Sequence, residues 1–157
     1  YPLAFYAVYF STRSDQYDID TMIMGNEAIK NRIKYLNEKK QSKEKLSNKE
    51  VDILSTLEMA LEMCERGFKF ANIDINKSLA KDFVIDEEHN ALIPPFIVLD
   101  GLGDNVAEGI IKARNAKPFT SIEDLQNRCK ISQTLLDKMR KMKVLDDLPE
   151  SDQLTLF

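Results

Sequence analysis

The stretch from Pro94 to Arg114 constrains this chain more than any other. A short apolar run, Phe96-Ile97-Val98-Leu99, follows two prolines standing where a helix start leaves its N–H groups unsatisfied. It runs into Gly101-Leu102-Gly103, and a helical pattern follows from near Asp104, with Val106, Ala107, Ile110 and Ile111 on one face. The two glycines permit the positive backbone torsions of a tight hairpin and leave room for close approach. Leu102 between them is placed to pin the hairpin to the core, and small Ala107 lets the two helices cross closely. Such a hairpin aims free backbone amides outward at the positive end of a helix dipole, which suits a phosphate oxygen. Asn105 lies in the same first turn, and Lys112 and Arg114 add positive charge further along. Asp104 works against this, because it repels phosphate unless its side chain caps the helix.

This arrangement resembles the helix-hairpin-helix, a motif that grips the phosphate backbone without reading bases. The plainer alternative, a helix pair whose glycines serve only packing, stays open at this point. A second, degenerate copy follows. Thr120-Ser121-Ile122-Glu123 has capping-box spacing ahead of Leu125 and Cys129, and Lys130-Ile131-Ser132 leads into a helix carrying Leu135, Leu136 and Met139. Its hairpin lacks glycine; Ser132 is placed to cap the next helix, and Lys130, Lys138, Arg140, Lys141 and Lys143 supply charge. Between residues 99 and 143 there are nine Lys or Arg against six Asp or Glu. That local excess reverses the sign of the whole chain, whose net charge is -4, so nucleic acid would be met by a local basic surface.

The rest of the chain reads as support. Residues 1–12 are almost wholly apolar and aromatic, the pattern of a helix buried on several sides, and this chain alone is too small to cover it. A helix is expected from Thr21 to about Lys39, with Ile29, Ile33 and Leu36 on a stripe, followed by a solvated basic loop through Lys45. A second starts at a capping box, Ser47-Asn48-Lys49-Glu50, keeps Val51, Leu54, Leu57, Leu61 and Cys64 on one stripe, and ends at Gly67. The period then shortens to two around Phe68 and Phe70, Ile73 and Ile75, and Phe83-Val84-Ile85, with a turn at residues 86–90 and a return through Ala91-Leu92-Ile93. The fold class is therefore mainly α with a small β element.

Cys64 and Cys129 lie far apart with no paired motif, as reduced, cytosolic core thiols do. His89 falls in a polar turn, and Asp18-Ile19-Asp20 has the spacing of a metal-binding pair beside a helix start, where a capping role is the simpler reading. No metal is assigned to either, and no membrane-length apolar run is present. The chain opens on Tyr1-Pro2-Leu3, which suggests a piece of something larger.

Its end is a second constraint. Gln153-Leu154-Thr155-Leu156-Phe157 follows a polar, acidic run from Asp146 to Asp152 whose composition is that of an unfolded tether. A glutamine, two leucines and a phenylalanine on such a tether form a short peptide for another protein's pocket. It resembles the motif by which bacterial replication proteins hold the ring-shaped sliding clamp. The alternative is a tail folded back on its own domain.

The order of parts carries a wider resemblance. Tyr1-Pro2-Leu3-Ala4-Phe5-Tyr6 is followed by Glu65-Arg66-Gly67-Phe68-Lys69-Phe70, Ile75-Asn76-Lys77-Ser78, Leu92-Ile93-Pro94-Pro95-Phe96, the hairpin and the clamp peptide. Together these are similar to the C-terminal end of PolC-type DNA polymerase III alpha subunits, the C-family replicative polymerases. The resemblance implies that residues 1–66 are the tail of the fingers region. It makes residues 67–145 a duplex-binding tandem helix-hairpin-helix region, and residues 146–157 a tether and clamp-binding motif. It implies DNA contacts at Gly101, Leu102, Gly103, Asn105, Lys112, Arg114, Lys130 and Ser132, and clamp contacts at Gln153 to Phe157. The partners implied are primer–template duplex, the sliding clamp and the remainder of a cytoplasmic polymerase chain. Magnesium belongs to that polymerase's palm aspartates, which have no counterpart here, so no cofactor and no catalytic residue is expected in this chain. A repair nuclease or ligase subunit with the same hairpin and tail is the rival reading.

Overall fold

Pro2 starts the first helix, α1 (Pro2–Ser11), in the position where its missing N–H costs nothing. Leu3, Tyr6, Ala7 and Phe10 are buried, whereas Phe5 and Val8 stand 57% and 66% exposed, so the helix is covered on one side only. We describe a computed structural model, which defines residues 1–13 and 16–152. Gln153, Leu154, Thr155, Leu156 and Phe157, the expected clamp contacts, lie outside the described residues.

The helix expected from Thr21 is two helices, α2 (Ile19–Met24) and α3 (Asn26–Gln41), broken at Gly25, whose φ of 94° no continuous helix accepts. Asp18 is the cap of α2, accepting from the Thr21 N–H and pairing with Arg32 at 3.2 Å. Next comes α4 (Asn48–Glu65), which opens on the expected capping box: Ser47 Oγ accepts from Glu50 N–H, and Glu50 accepts from Ser47 N–H, both at 3.1 Å. Its buried stripe is Ile53, Leu54, Leu57, Ala60 and Met63, so the expected stripe was rotated; Val51 is exposed. The helix ends as its sequence implies. Gly67 takes φ 93°, Gly67 N–H donates to Cys64 O, and Phe68 N–H donates to Met63 O.

Three short strands follow, β1 (Lys69–Phe70), β2 (Val84–Asp86) and β3 (Ala91–Ile93), in the order β1-β3-β2. The β2–β3 pair is the expected hairpin, turned through residues 87–90 with Asn90 at φ 50°, and β1 joins β3 in parallel. His89 belongs to that turn, its Nδ1 2.8 Å from Asp86. Ile73 and Ile75 are buried without being strand residues. The second half carries a 3₁₀ turn (Phe96–Val98) and three helices, α5 (Asp104–Ala116), α6 (Ile122–Cys129) and α7 (Gln133–Lys141).

A single hydrophobic cluster runs from Leu3 to Leu145. Phe10 is its hinge: fully buried, it meets Phe70 and Phe83 with ring centroids 5.1 and 5.7 Å away. Tyr6 Oη donates to Glu62 at 3.0 Å, and Ser11 Oγ accepts from Phe83 N–H at 2.9 Å. The two thiols are partly buried and unpaired, and burial raises both pKa values. No helix is long and apolar enough to cross a membrane among the described residues.

The acidic run before the tail is a correction. It is folded against α6 and is not a solvated tether: Ile122 N–H donates to Pro149 O at 2.8 Å and Glu123 N–H to Glu150 O at 3.1 Å. Val144 and Leu145, just ahead of it in the chain, are buried. Composition alone missed this because the segment is held by its carbonyls and by partners at the start of α6 and on α7, which charge content does not signal. Phe10→Ala should cost about 3–5 kcal/mol, the range for a buried aromatic, read by chemical denaturation of the chain.

Candidate nucleic-acid interface

The hairpin depends on one torsion. Leu102 N–H donates to Leu99 O at 3.0 Å, closing a turn over Asp100 and Gly101, and Gly101 takes φ 88° at the position where such turns favour glycine. Leu102 is 3% exposed, pinned as expected. The first helix of the pair is shorter than expected. Between Pro95 and this turn there is room only for the single 3₁₀ turn.

Gly103 differs from the expectation that both glycines supply positive torsions. Its φ is -81° and ψ 172°, extended backbone open to any residue, and a Cβ there would meet nothing within 4 Å. What its missing side chain leaves is an uncapped helix: Gly103 is the N-cap of α5 and offers no side-chain acceptor. The first N–H groups of α5 thus face outward beneath an open cleft of about 560 Å³. Tyr17, Lys49, Ile97 to Leu102, Gly103 and Asp104 line it.

The charges around the hairpin are balanced locally. Asp104 does not cap α5; it pairs with Lys81 at 3.3 Å, and Asp100 pairs with Lys138 at 3.8 Å. Lys49 and Lys81 are the residues that sequence reasoning missed at this edge, and Lys138, read in the sequence with the second hairpin, reaches the first. Lys49 and Lys81 come from distant segments, and no spacing signals their approach. Lys112 is exposed on α5, as is Asn105.

Arg114 has a structural role that the sequence does not signal. Its Nη1 donates to Ile75 O at 3.2 Å and to Ser78 O at 2.8 Å, and burial lowers its pKa from the ordinary value while Asp74 opposes that shift. It ties α5 to the turn that leads into the hairpin, because Ser78, fully buried, donates to Pro94 O at 2.8 Å. Arg114 is therefore a strut through its Nη1. Arg128 is likewise occupied, donating to Ala113 O and Lys117 O at the end of α5 and pairing with Asp124 at 3.1 Å.

The stretch Lys130-Ile131-Ser132 repeats the hairpin's backbone without its glycines. Lys130 takes the left-handed conformation (φ 52°, ψ 46°), Ile131 is 3% exposed, and Ser132 is the extended N-cap of α7. These three match Gly101, Leu102 and Gly103 in turn. One difference matters: Ser132 Oγ accepts from Leu135 N–H at 3.2 Å, so the second helix start is partly self-satisfied. The α6 cap also lies one residue beyond the expected box, at Ser121, which accepts from Asp124 N–H at 2.9 Å. Among the described residues Lys112, Lys117, Lys130, Lys141 and Lys143 have no ion-pair partner. No three His, Cys, Asp or Glu side chains gather as a metal-binding group among the described residues.

A paired arrangement of pinned hairpin, open helix start and flanking lysines defines a class. The chain belongs to the helix-hairpin-helix motif family, whose match covers residues 67–154. Beyond that motif, the chain is 46% identical over 160 residues to DNA polymerase III PolC-type of Ureaplasma parvum serovar 3. It is 49% identical over 157 residues to that of Pediococcus pentosaceus and 45% to that of Streptococcus pneumoniae serotype 2. Each alignment takes in 100% of this chain and 10–11% of the relative, so the chain spans about a tenth of the length of the curated relatives it matches. Those relatives are enzymes, and this chain corresponds to a small region of them.

Gly101 and Gly103 should separate by stability. Gly101→Ala forces a side chain into positive φ and should cost about 1–2 kcal/mol. Gly103→Asp supplies a cap and should leave stability equal or a few tenths of a kcal/mol higher. Thermal or urea melts of the two variants check this.

Proposed function

We propose that this chain is the C-terminal part of a replicative DNA polymerase, gripping duplex DNA without sequence preference and holding the sliding clamp. The observation that carries the DNA reading is the uncapped start of α5 at Gly103, set over a cleft with Lys49 at its edge. A phosphate oxygen accepts from the outward N–H groups there, and the helix dipole adds to the attraction. Lys112 supports the first contact. At the second hairpin Lys130 supplies a cation beside the turn, and Ser132 shares its hydroxyl between the cap and a phosphate. The two hairpins act as a tandem pair on the duplex. Residues 1–66 belong in this reading to the fingers region, and nucleotide incorporation, with its magnesium, to the remainder of the polymerase chain in the cytoplasm.

For the clamp, the support is the sequence Gln153-Leu154-Thr155-Leu156-Phe157 alone. Burying its three large apolar side chains yields roughly 1.5–3 kcal/mol each, against an association cost of about 4 kcal/mol or more. Such a peptide binds weakly by itself and gains through simultaneous DNA contact.

Anisotropy titrations of labelled duplex across a salt series test the DNA reading. Affinity should fall with salt by a slope of about -0.9 per phosphate contacted. Lys112→Ala and Lys130→Ala should each reduce that slope by about 1 and weaken all sequences alike. Gly103→Asp should lose DNA binding while keeping its fold. A wild-type chain indifferent to duplex at low salt contradicts the proposal.

A further inference from the structure

The segment just before the last five residues is held at four points on one small surface. Pro149 O and Glu150 O accept the first two N–H groups of α6, from Ile122 at 2.8 Å and Glu123 at 3.1 Å. Glu150 also receives Arg140, whose Nη2 and Nε lie 2.8 and 3.3 Å from its two oxygens. Thr120 Oγ1 donates to Asp152 at 2.6 Å. Leu148, half-buried, packs against the core just upstream. Backbone, ion pair and hydroxyl thus fix the chain up to residue 152.

From these contacts we infer that Thr120, Arg140 and the start of α6 form a mount that fixes the point where the C-terminal peptide leaves the fold and so seats its partner close against the α6–α7 unit. This rests on the clamp reading of residues 153–157. A disordered tether would let the partner roam. Here Leu156 and Phe157 stand only four and five residues beyond Asp152, and a fully extended chain covers about 3.3–3.6 Å per residue, roughly 17 Å in all. The pocket that takes Leu156 and Phe157 must therefore come within that distance of the Thr120–Asp152 contact. The same α6–α7 unit carries the second hairpin at Lys130 to Ser132, so the mount ties the partner's position to the DNA-gripping face. Two weak contacts reinforce each other only when their spacing allows both at once. A mount in place of a tether makes that spacing a property of the fold.

The test uses a photo-crosslinking benzoylphenylalanine at Glu123, an exposed residue beside the mount, with purified bacterial sliding clamp as the probe. Three versions of the intact chain are compared: unaltered, with a 20-residue Gly-Ser insertion after Asp152, and with Thr120→Val and Glu150→Ala together. Binary clamp affinity, read separately, should be unchanged by the insertion and the pair. The crosslink should form in the unaltered chain, disappear with the insertion and fall severalfold in the pair. An equal crosslink yield in all three, with clamp affinity intact, overturns the mount. Failure of the unaltered chain to bind clamp at all, with no difference on deleting residues 153–157, overturns the clamp reading instead.

Discussion

The start of a helix leaves N–H groups that need acceptors, and how each helix here meets that need organises the molecule. Asp18, Ser47, Ser121 and Ser132 cap α2, α4, α6 and α7 from within the chain. The tail's own carbonyls add to the cover over α6. Gly25 starts α3 directly where α2 ends. α5 starts at Gly103, on the lip of an open cleft, with its need referred to whatever approaches from outside. Everything that fixes Gly103 in place serves that exposure: the turn at Gly101, the buried Leu102 and the Arg114 strut to Ile75 and Ser78.

The strut also explains why the chain behaves as one packed body. Arg114 holds the 74–78 turn, Ser78 holds Pro94, and Asn72 Nδ2 donates to Met142 O at 2.7 Å, so the small sheet is stitched to both hairpin units. On its other side the sheet receives Phe10 of α1. The aromatic cluster of Phe10, Phe70 and Phe83 thereby carries the position of the first helix through to the hairpins.

Much of this was legible in the sequence, and the pattern of success has a physical cause. The capping box at Ser47, the glycine stop at Gly67, the 86–90 turn and the pinned Leu102 are local, set by residues within a few positions of each other. The failures are the long-range contacts. Arg114 reads as a cation on a basic helix, and only tertiary structure shows its Nη1 committed to two carbonyls 36–39 residues away. The run Asp146 to Asp152 reads as a tether because charge composition says nothing about main-chain groups meeting α6. Of the two reasons given for Gly103, the torsional one fails at φ -81° and the room left by a missing side chain stands. Lys49 and Lys81 reach the hairpin from distant segments, beyond any spacing rule.

The most direct test is backbone amide NMR of the 15N-labelled chain during titration with a short duplex at low salt. The account predicts the largest shifts at the N–H groups of Asp104, Asn105 and Val106. Smaller shifts should appear near Lys130 and Ser132, and none at Asp124, whose N–H is already taken by Ser121. Shifts spread evenly over the exposed lysines, with the first turn of α5 unmoved, would contradict it.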